Sequence, residues 1–139
     1  MSMQNSPLRN KSEMLMDAAV LLHKNTYYLA VAHAAYYSCY QMMKYIWLYS
    51  MCKTEEQLEL NTSQSRFGSH EYLLNEVVKH IIEKKNENSN EDARFLRNNI
   101  PILKKLRTDA DYKDTTFDCE KSENSMKLSK DLLSILKKY

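Results

Sequence analysis

Ionisable side chains are densest in the segment 106–112, which reads Leu-Arg-Thr-Asp-Ala-Asp-Tyr. This segment places Arg107, two aspartates and Tyr112 close together. On a helix, Arg107 and Asp111 are four positions apart on the same face and can form an ion pair. The cluster is therefore a candidate for chemistry, and the alternative is that it forms an ordinary salt-bridged end of a helix.

Basic residues are clustered around this segment. In a helix they could attract the phosphates of a nucleic acid, and the alternative is a solvated helix face. The cluster comprises Arg94, Arg97, Lys104, Lys105, Arg107 and Lys113. The formal net charge of the chain is only +2, so any contact with nucleic acid would be local. The candidate nucleotide- or RNA-binding residues are Arg97, Lys104, Lys105 and Arg107.

One histidine, His70, is a candidate for chemistry. It follows Gly68-Ser69 at a predicted helix start, where its ring could point into a cleft and the helix dipole would lower its pKa. His23 and His80 lie near predicted helix ends and His33 lies beside an apolar stripe, which are typical structural positions. No histidine, cysteine or carboxylate pattern has the spacing of metal ligands, so we expect neither a metal nor a cofactor.

The scarcity of glycine and proline limits the fold that must position these residues. The chain has one Gly and two Pro in 139 residues. Glycine-rich phosphate loops, dinucleotide-binding fingerprints and nucleophile elbows are therefore excluded, and β architectures with many turns are disfavoured. We predict an all-α protein with a single domain over residues 1–139 and an ordered core at about 9–138.

Apolar residues with helical periodicity predict an antiparallel bundle of four long helices plus a short one. The helices are predicted over residues 10–24, 27–52, 70–84, 91–98, 101–112 and 118–138, with a break before Pro101. The polar segment 53–68 is predicted as a loop with, at most, one helical turn. Ser69 is a predicted N-cap, and Thr115 or Thr116 is available to cap the last helix.

The second predicted helix is apolar on more than one face. Its seven tyrosines could stack on bases, and the alternative is packing in a core or a subunit interface. Four large side chains lie off its main stripe: Tyr37, Tyr40, Trp47 and Leu48. A second buried face in a small bundle favours a homodimer, with an interface that includes part of this helix or the segment 107–112.

Three features bear on location. The most apolar stretch, 27–51, contains His33, Gln41 and Lys44, so we expect a buried helix rather than a membrane span. Residues 1–12 are polar and lack the apolar core of a signal peptide. The three cysteines are odd in number and favour free thiols in a reducing compartment. We therefore expect a cytoplasmic protein that does not contact a membrane.

Three segments combine into a recognisable order. The first is Tyr-Tyr-Leu-Ala-Val-Ala-His-Ala-Ala-Tyr-Tyr at 27–37, the second is Gly-Ser-His at 68–70, and the third is the segment 106–112. Together, over residues 9–138, they resemble the HEPN family (higher eukaryotes and prokaryotes nucleotide-binding domain). They are similar to its tyrosine, Ala-Val, small-residue and Tyr-Tyr pattern, and to the Ser-x-His and Leu-Arg-x-x-Ala-Asp-Tyr motifs of one branch.

The resemblance implies a prokaryotic helical bundle, usually a homodimer, with a role near RNA or nucleotide chemistry. Many members are metal-independent ribonucleases in which an arginine steadies the phosphate and a following histidine transfers protons. Others pair with a small nucleotidyltransferase as toxin and antitoxin, and in some pairs a tyrosine of the motif receives AMP. The candidate catalytic residues implied for this chain are Arg107, Asp111, Tyr112 and His70.

The chain departs from the ribonuclease motif after Arg107. The positions where the histidine should fall hold Tyr112, Lys113 and Asp114, and no histidine follows them. A carboxylate or a phenol does not simply replace an imidazole that titrates near neutral pH. We therefore expect a HEPN-type protein associated with RNA or nucleotides whose nuclease motif is degenerate. We expect it to work with a nucleotidyltransferase partner in a toxin–antitoxin or defence-type system.

Two alternatives stay open. The first is an active metal-independent ribonuclease toxin that uses Arg107 with His70, Asp111 or Tyr112, so the sequence does not decide whether the chain is an enzyme. The second is a non-catalytic helical adaptor. The adaptor predicts no cleft, and it predicts that nucleotides leave the melting temperature unchanged.

Overall fold

The computed structural model describes residues 6–114 and 116–139, and all regular elements within these ranges are helical. In chain order they are α1 (Pro7–Lys24), α2 (Tyr28–Tyr45), which continues as a π-helical turn (Ile46–Ser50), α3 (Glu55–Gln64), α4 (Ser69–Lys84), α5 (Ser89–Tyr112) and α6 (Cys119–Leu136). The all-α prediction is confirmed. Five helices have 16 to 24 residues and α3 has 10, where the sequence predicted four long helices and a short one. Within the described ranges, no helix combines the length and the apolar character needed to cross a membrane.

Helix α3 lies in the polar segment that the sequence predicted as a loop, so that prediction was wrong. Thr54 and Gln57 form a capping box at its start. The Gln57 backbone N–H donates to Thr54 Oγ1 at 3.1 Å, and the Thr54 N–H donates to Gln57 Oε1 at 2.8 Å. Leu58 is the one buried residue of the helix. A helix with a single buried residue shows no apolar stripe, so the cap and not the periodicity marks it.

Helix α5 continues through Pro101, so the predicted separation into 91–98 and 101–112 was wrong. Proline has no N–H to donate to the carbonyl of Arg97, and this normally breaks or kinks a helix. Burial on both sides of the proline outweighs this loss, because the apolar face of α5 packs into the core before and after it. The buried residues on this face include Leu96, Ile100 and Leu103.

The start of α6 also differs from the prediction. Its N-cap is Asp118, whose Oδ1 accepts the backbone N–H of Lys121 at 3.0 Å. The predicted caps were Thr115 and Thr116. Thr115 lies outside the described residues, and Thr116 is followed by two more residues before the helix begins. The carboxylate of Asp118 satisfies a backbone donor that the first turn would otherwise leave unpaired.

Helix α2 is the central helix of the bundle and packs against α1, α4, α5 and α6. Tyr36 and Trp47 are fully buried, and Trp47 Nε1 donates to the carbonyl of Thr54 at 2.8 Å. The other side chains off the main stripe, Tyr37, Tyr40 and Leu48, are half-buried against the same core. One chain therefore covers the aromatic residues of this helix, and their apolar character alone does not require a second chain.

Buried serines hold α2 against its neighbours on one side. Ser12 Oγ of α1 donates to the Ser38 carbonyl at 2.8 Å, and Ser38 Oγ donates to the Ser12 carbonyl at 2.7 Å. Ser129 Oγ of α6 donates to the Ala35 carbonyl at 2.8 Å. Such small side chains let helices approach closely while their hydroxyl groups stay hydrogen-bonded. The side of α2 that carries Tyr36 faces α4 and α5 instead.

The three cysteines are free thiols, as predicted. Cys39 lies in the core, where burial raises the pKa of its thiol to about 12. Cys52 and Cys119 are exposed. The bundle is therefore held by apolar packing and hydrogen bonds, without covalent cross-links.

Candidate functional site

Tyr36 on α2 and His70 on α4 form the centre of the candidate site. The Tyr36 hydroxyl lies 2.6 Å from His70 Nδ1, and the two rings are stacked with centroids 5.5 Å apart. Helix α4 begins at Ser69, and Gly68, not the predicted Ser69, occupies the N-cap position. This start places His70 in the first turn, as the sequence predicted.

Two further tyrosines of α2 enclose the imidazole. The ring centroid of Tyr40 lies 4.4 Å from that of His70, and the centroid of Tyr37 lies 5.9 Å away in an edge-on arrangement. Positions 36, 37 and 40 lie on the same side of a helix because they are one, three and four residues apart. Part of the tyrosine run in α2 thus forms an aromatic pocket for one histidine.

The surroundings of His70 keep its ring neutral. Burial, together with the positive charges of Lys104 and Arg107, lowers its pKa to about 4. The sequence predicted this direction and attributed it to the helix dipole, whereas burial is the main cause. Burial also raises the pKa of Tyr36, so its hydroxyl stays protonated and can donate to Nδ1. In that arrangement the imidazole carries its proton on Nε2, where it can donate a hydrogen bond.

Arg107 on α5 lies against the same tyrosines. Its guanidinium carbon is 5.5 Å from the ring centroid of Tyr36 and 5.5 Å from that of Tyr37, which is within the range of cation–π attraction. Its side chain is 14% exposed, and its buried Nε has no hydrogen-bond partner among the described residues. His70 and Arg107 therefore meet on the same pair of rings.

Asp111 lies next to Arg107, as their spacing predicted. Its Oδ2 is 3.6 Å from Arg107 Nη1 and 3.8 Å from His33 Nδ1, so both contacts are long for hydrogen bonds. Tyr112 does not join this group: it is 75% exposed, and the described residues show no contact between it and Arg107 or His70. The structure therefore brings three of the four candidate catalytic residues together and leaves the fourth at the surface.

A cleft of about 360 Å³ opens between α4 and α5 beside this aromatic group. Tyr36 and His70 lie at one side of it. The α5 wall contributes the predicted phosphate-binding residues Arg97 and Lys104, whereas Lys105 is exposed and does not line the cleft. The remaining lining residues are Glu71, Leu74, Asn75, Ile100 and Pro101.

The sequence did not identify the α4 wall beyond His70. Glu71, Leu74 and Asn75 line the cleft together with His70. Leu74 lies four positions after His70, and Asn75 lies four positions after Glu71, so each pair shares a side of the helix. The spacing of four between Glu71 and Asn75 is the sequence signal that marks these two polar residues as neighbours on α4. Tyr36 was visible only as one of seven similar tyrosines.

No protein-family model, curated protein or solved structure matches the chain.

The chemistry of this site follows from its geometry. In the described part of the chain, no three histidine, cysteine or carboxylate side chains are grouped closely enough to hold a metal ion. The site instead offers cations on one wall, a neutral imidazole with a free donor, and apolar surface between them. Such an arrangement can bind an anion that carries a planar group.

Proposed function

We propose that this chain is a HEPN-type helical protein that binds RNA or a nucleotide in the α4–α5 cleft and has a degenerate nuclease site. One observation carries the proposal: the side chains of Arg97 and Lys104 line the cleft, and neither has an ion-pair partner among the described residues. Unpaired cations in a concave site attract phosphate. The order of the three HEPN-like segments supports the same ligand class.

The state of His70 supports binding rather than catalysis. General acid–base catalysis is most efficient when the pKa of the catalytic group lies near the working pH. Burial and nearby cations hold the pKa of His70 at about 4, so the ring is a weak base and is uncharged at neutral pH. A neutral imidazole with its proton on Nε2 instead donates a hydrogen bond to a phosphate oxygen.

The binding experiment measures the fluorescence anisotropy of a labelled single-stranded RNA at several salt concentrations. Arg97→Gln and Lys104→Gln should each weaken binding. Each should also reduce the slope of the logarithm of the binding constant against the logarithm of salt concentration by roughly 0.7 per lost phosphate contact. Lys105→Gln, which removes the same charge from the same helix outside the cleft, is the matched control and should change binding less. Equal losses for all three variants would contradict a site in the cleft, and no binding by the wild type would leave the adaptor alternative.

An active metal-independent ribonuclease toxin is the second candidate function. The observation that favours it is the meeting of His70 and Arg107 on the rings of Tyr36 and Tyr37. Incubation with a panel of RNAs distinguishes the two candidates. The binding proposal expects no cleavage above the background of Arg107→Ala, and cleavage abolished by that substitution would establish the ribonuclease.

We also propose a homodimer that works in the cytoplasm with a nucleotidyltransferase partner, in a toxin–antitoxin or defence-type system. The support is the HEPN-like order of the segments at 27–37, 68–70 and 106–112. A nucleotidyltransferase reading frame next to this one would favour the pairing. Sedimentation equilibrium should give twice the chain mass, and a 16.4 kDa species at micromolar concentration would contradict the dimer.

A further inference from the structure

Charged side chains of both signs face the same cleft without pairing. Glu71 belongs to the α4 wall, and Arg97 and Lys104 belong to the α5 wall. Among the described residues, none of the three side chains has an ion-pair or hydrogen-bond partner. The two walls therefore hold an acceptor and two cations apart, across a space that a ligand can occupy.

The carboxylate has a polar neighbour on its own wall. Asn75 lies one helical turn after Glu71, so its amide and the carboxylate are adjacent on the same side of α4. Leu74 on this wall and Ile100 and Pro101 on the other supply apolar surface. Apolar surface beside hydrogen-bonding side chains is typical of a site for a planar heterocycle.

The hydrogen-bonding groups of Glu71 and Asn75 can discriminate among bases. A carboxylate only accepts hydrogen bonds, while an amide both donates and accepts. Guanine presents two adjacent donors, N1–H and the N2 amino group, next to the O6 acceptor on its Watson–Crick edge. Adenine, cytosine and uracil each place an acceptor where a second donor would be needed. Of the four bases, guanine fits the pair formed by Glu71 and Asn75.

We propose that the α4–α5 cleft selects guanine nucleotides. Glu71 accepts from N1–H and the N2 amino group, Asn75 donates to O6, and the phosphate lies toward the cations of α5. Arg97 and Lys104 are seven residues apart on α5, a rise of about 10 Å, so the cations extend along the length of the α5 wall. This specificity rests on the proposed nucleotide-binding function. The cleft volume of about 360 Å³ suits one nucleotide unit.

The test is calorimetric titration of the full chain with the 5′-monophosphates of guanosine, inosine, adenosine, cytidine and uridine. Guanosine monophosphate should bind roughly tenfold more tightly than adenosine monophosphate, since one well-formed bidentate contact discriminates by roughly 5-fold to 150-fold. Inosine monophosphate, which lacks the N2 amino group, should fall between them. Glu71→Gln should abolish the preference for guanosine monophosphate over adenosine monophosphate.

Glu83→Gln is the matched control, because Glu83 is an exposed carboxylate on the same helix that does not line the cleft. It should keep the guanine preference. Equal affinity for all five nucleotides, or a preference that survives Glu71→Gln, would overturn the proposed specificity and leave nucleotide binding intact. No binding of any of the five would overturn both the specificity and mononucleotide binding in the cleft. Circular dichroism spectra that match the wild type show that each variant is folded.

Discussion

The Tyr36 hydroxyl and His70 Nδ1 lie 2.6 Å apart, although the two residues are separated by 34 positions in the chain. This hydrogen bond joins the central helix to the first turn of α4 beside the cleft. The buried tyrosine hydroxyl can donate its proton to Nδ1, which orients the imidazole with its own proton on Nε2. In that arrangement Tyr36 determines which hydrogen-bonding group His70 presents to the cleft.

Removal of this hydroxyl group should change both stability and titration. Tyr36→Phe should lower the free energy of unfolding by about 1 kcal/mol, the usual contribution of a buried hydrogen bond. It should also raise the pKa of His70, because the lost donor stabilised the neutral ring. Urea unfolding and an NMR titration of the imidazole measure the two effects. Tyr37→Phe is the control, since the described residues give the Tyr37 hydroxyl no hydrogen bond, and an equal response of both variants would contradict this role of Tyr36.

The depressed pKa of His70 predicts a pH-dependent stability. The unfolded chain binds a proton near pH 6.5 and the folded chain only near pH 4, so stability from this group is present above about pH 6.5 and is lost as the pH falls toward 4. Because the ring is partly exposed, the loss should be about 2 kcal/mol or less. Unfolding of wild type and His70→Asn across this range isolates the effect. If the free energies of unfolding of the two proteins changed with pH in parallel, His70 would not be the source of the pH dependence.

Arg107 should stabilise the fold as well as the site. Its guanidinium contacts two tyrosine rings and Asp111, so Arg107→Ala should lower the free energy of unfolding by about 1–2 kcal/mol. Arg107→Lys should recover only part of this loss, because an ammonium group cannot stack as a planar guanidinium does. Arg94→Ala, an exposed arginine on the same helix, should change stability by less than about 0.5 kcal/mol. Thermal unfolding compares the three variants, and equal losses for Arg94 and Arg107 would refute the packing role.

Replacement of Pro101 should raise the free energy of unfolding. It lies inside α5, where it leaves the Arg97 carbonyl without its usual helical donor. Pro101→Ala restores that N–H, and after allowing for the greater freedom of the unfolded chain it should raise the free energy of unfolding by about 1–2 kcal/mol. Denaturant unfolding measures the change. A decrease would show that the proline fits α5 better than a regular turn does.

Helix α3 should open more easily than the rest of the bundle. Leu58 is its one buried residue, so Leu58→Ala should detach the helix locally and speed hydrogen exchange of its amides. Leu60→Ala on the same helix is the control, because Leu60 is 56% exposed. If both substitutions had the same effect on exchange, burial of Leu58 would not be what holds α3.

The fold class and most helix bounds could be predicted because they depend on local pattern. The apolar periodicity of α4 and the sequence Gly68-Ser69-His70 together placed His70 near a helix start, where the structure has it. Two local sequence signals led to wrong predictions. Pro101 predicted a break that tertiary packing overrides, and the polar composition of α3 predicted a loop although Thr54 and Gln57 formed a capping box.

The candidate site was harder to predict from the sequence because it depends on contacts between residues that are far apart in the chain. The spacing of Arg107 and Asp111 predicted their pairing within one helix. Nothing in the periodicity of α2 distinguished Tyr36 from its neighbouring tyrosines, and only packing against α4 and α5 brings it to His70 and Arg107. The apolar second face of α2 was likewise ambiguous, since cover from the same chain and cover from a partner have the same sequence pattern.

Ligand binding in the α4–α5 cleft is tested most directly by mapping where a nucleotide contacts the protein. Titration of 15N-labelled protein with guanosine monophosphate, followed by 1H–15N spectra, reports on each backbone amide. The largest, saturable shifts should cluster at residues 70–75 of α4 and 97–104 of α5. Shifts confined to amides outside these two stretches, or no saturable shift at any amide, would contradict binding in this cleft.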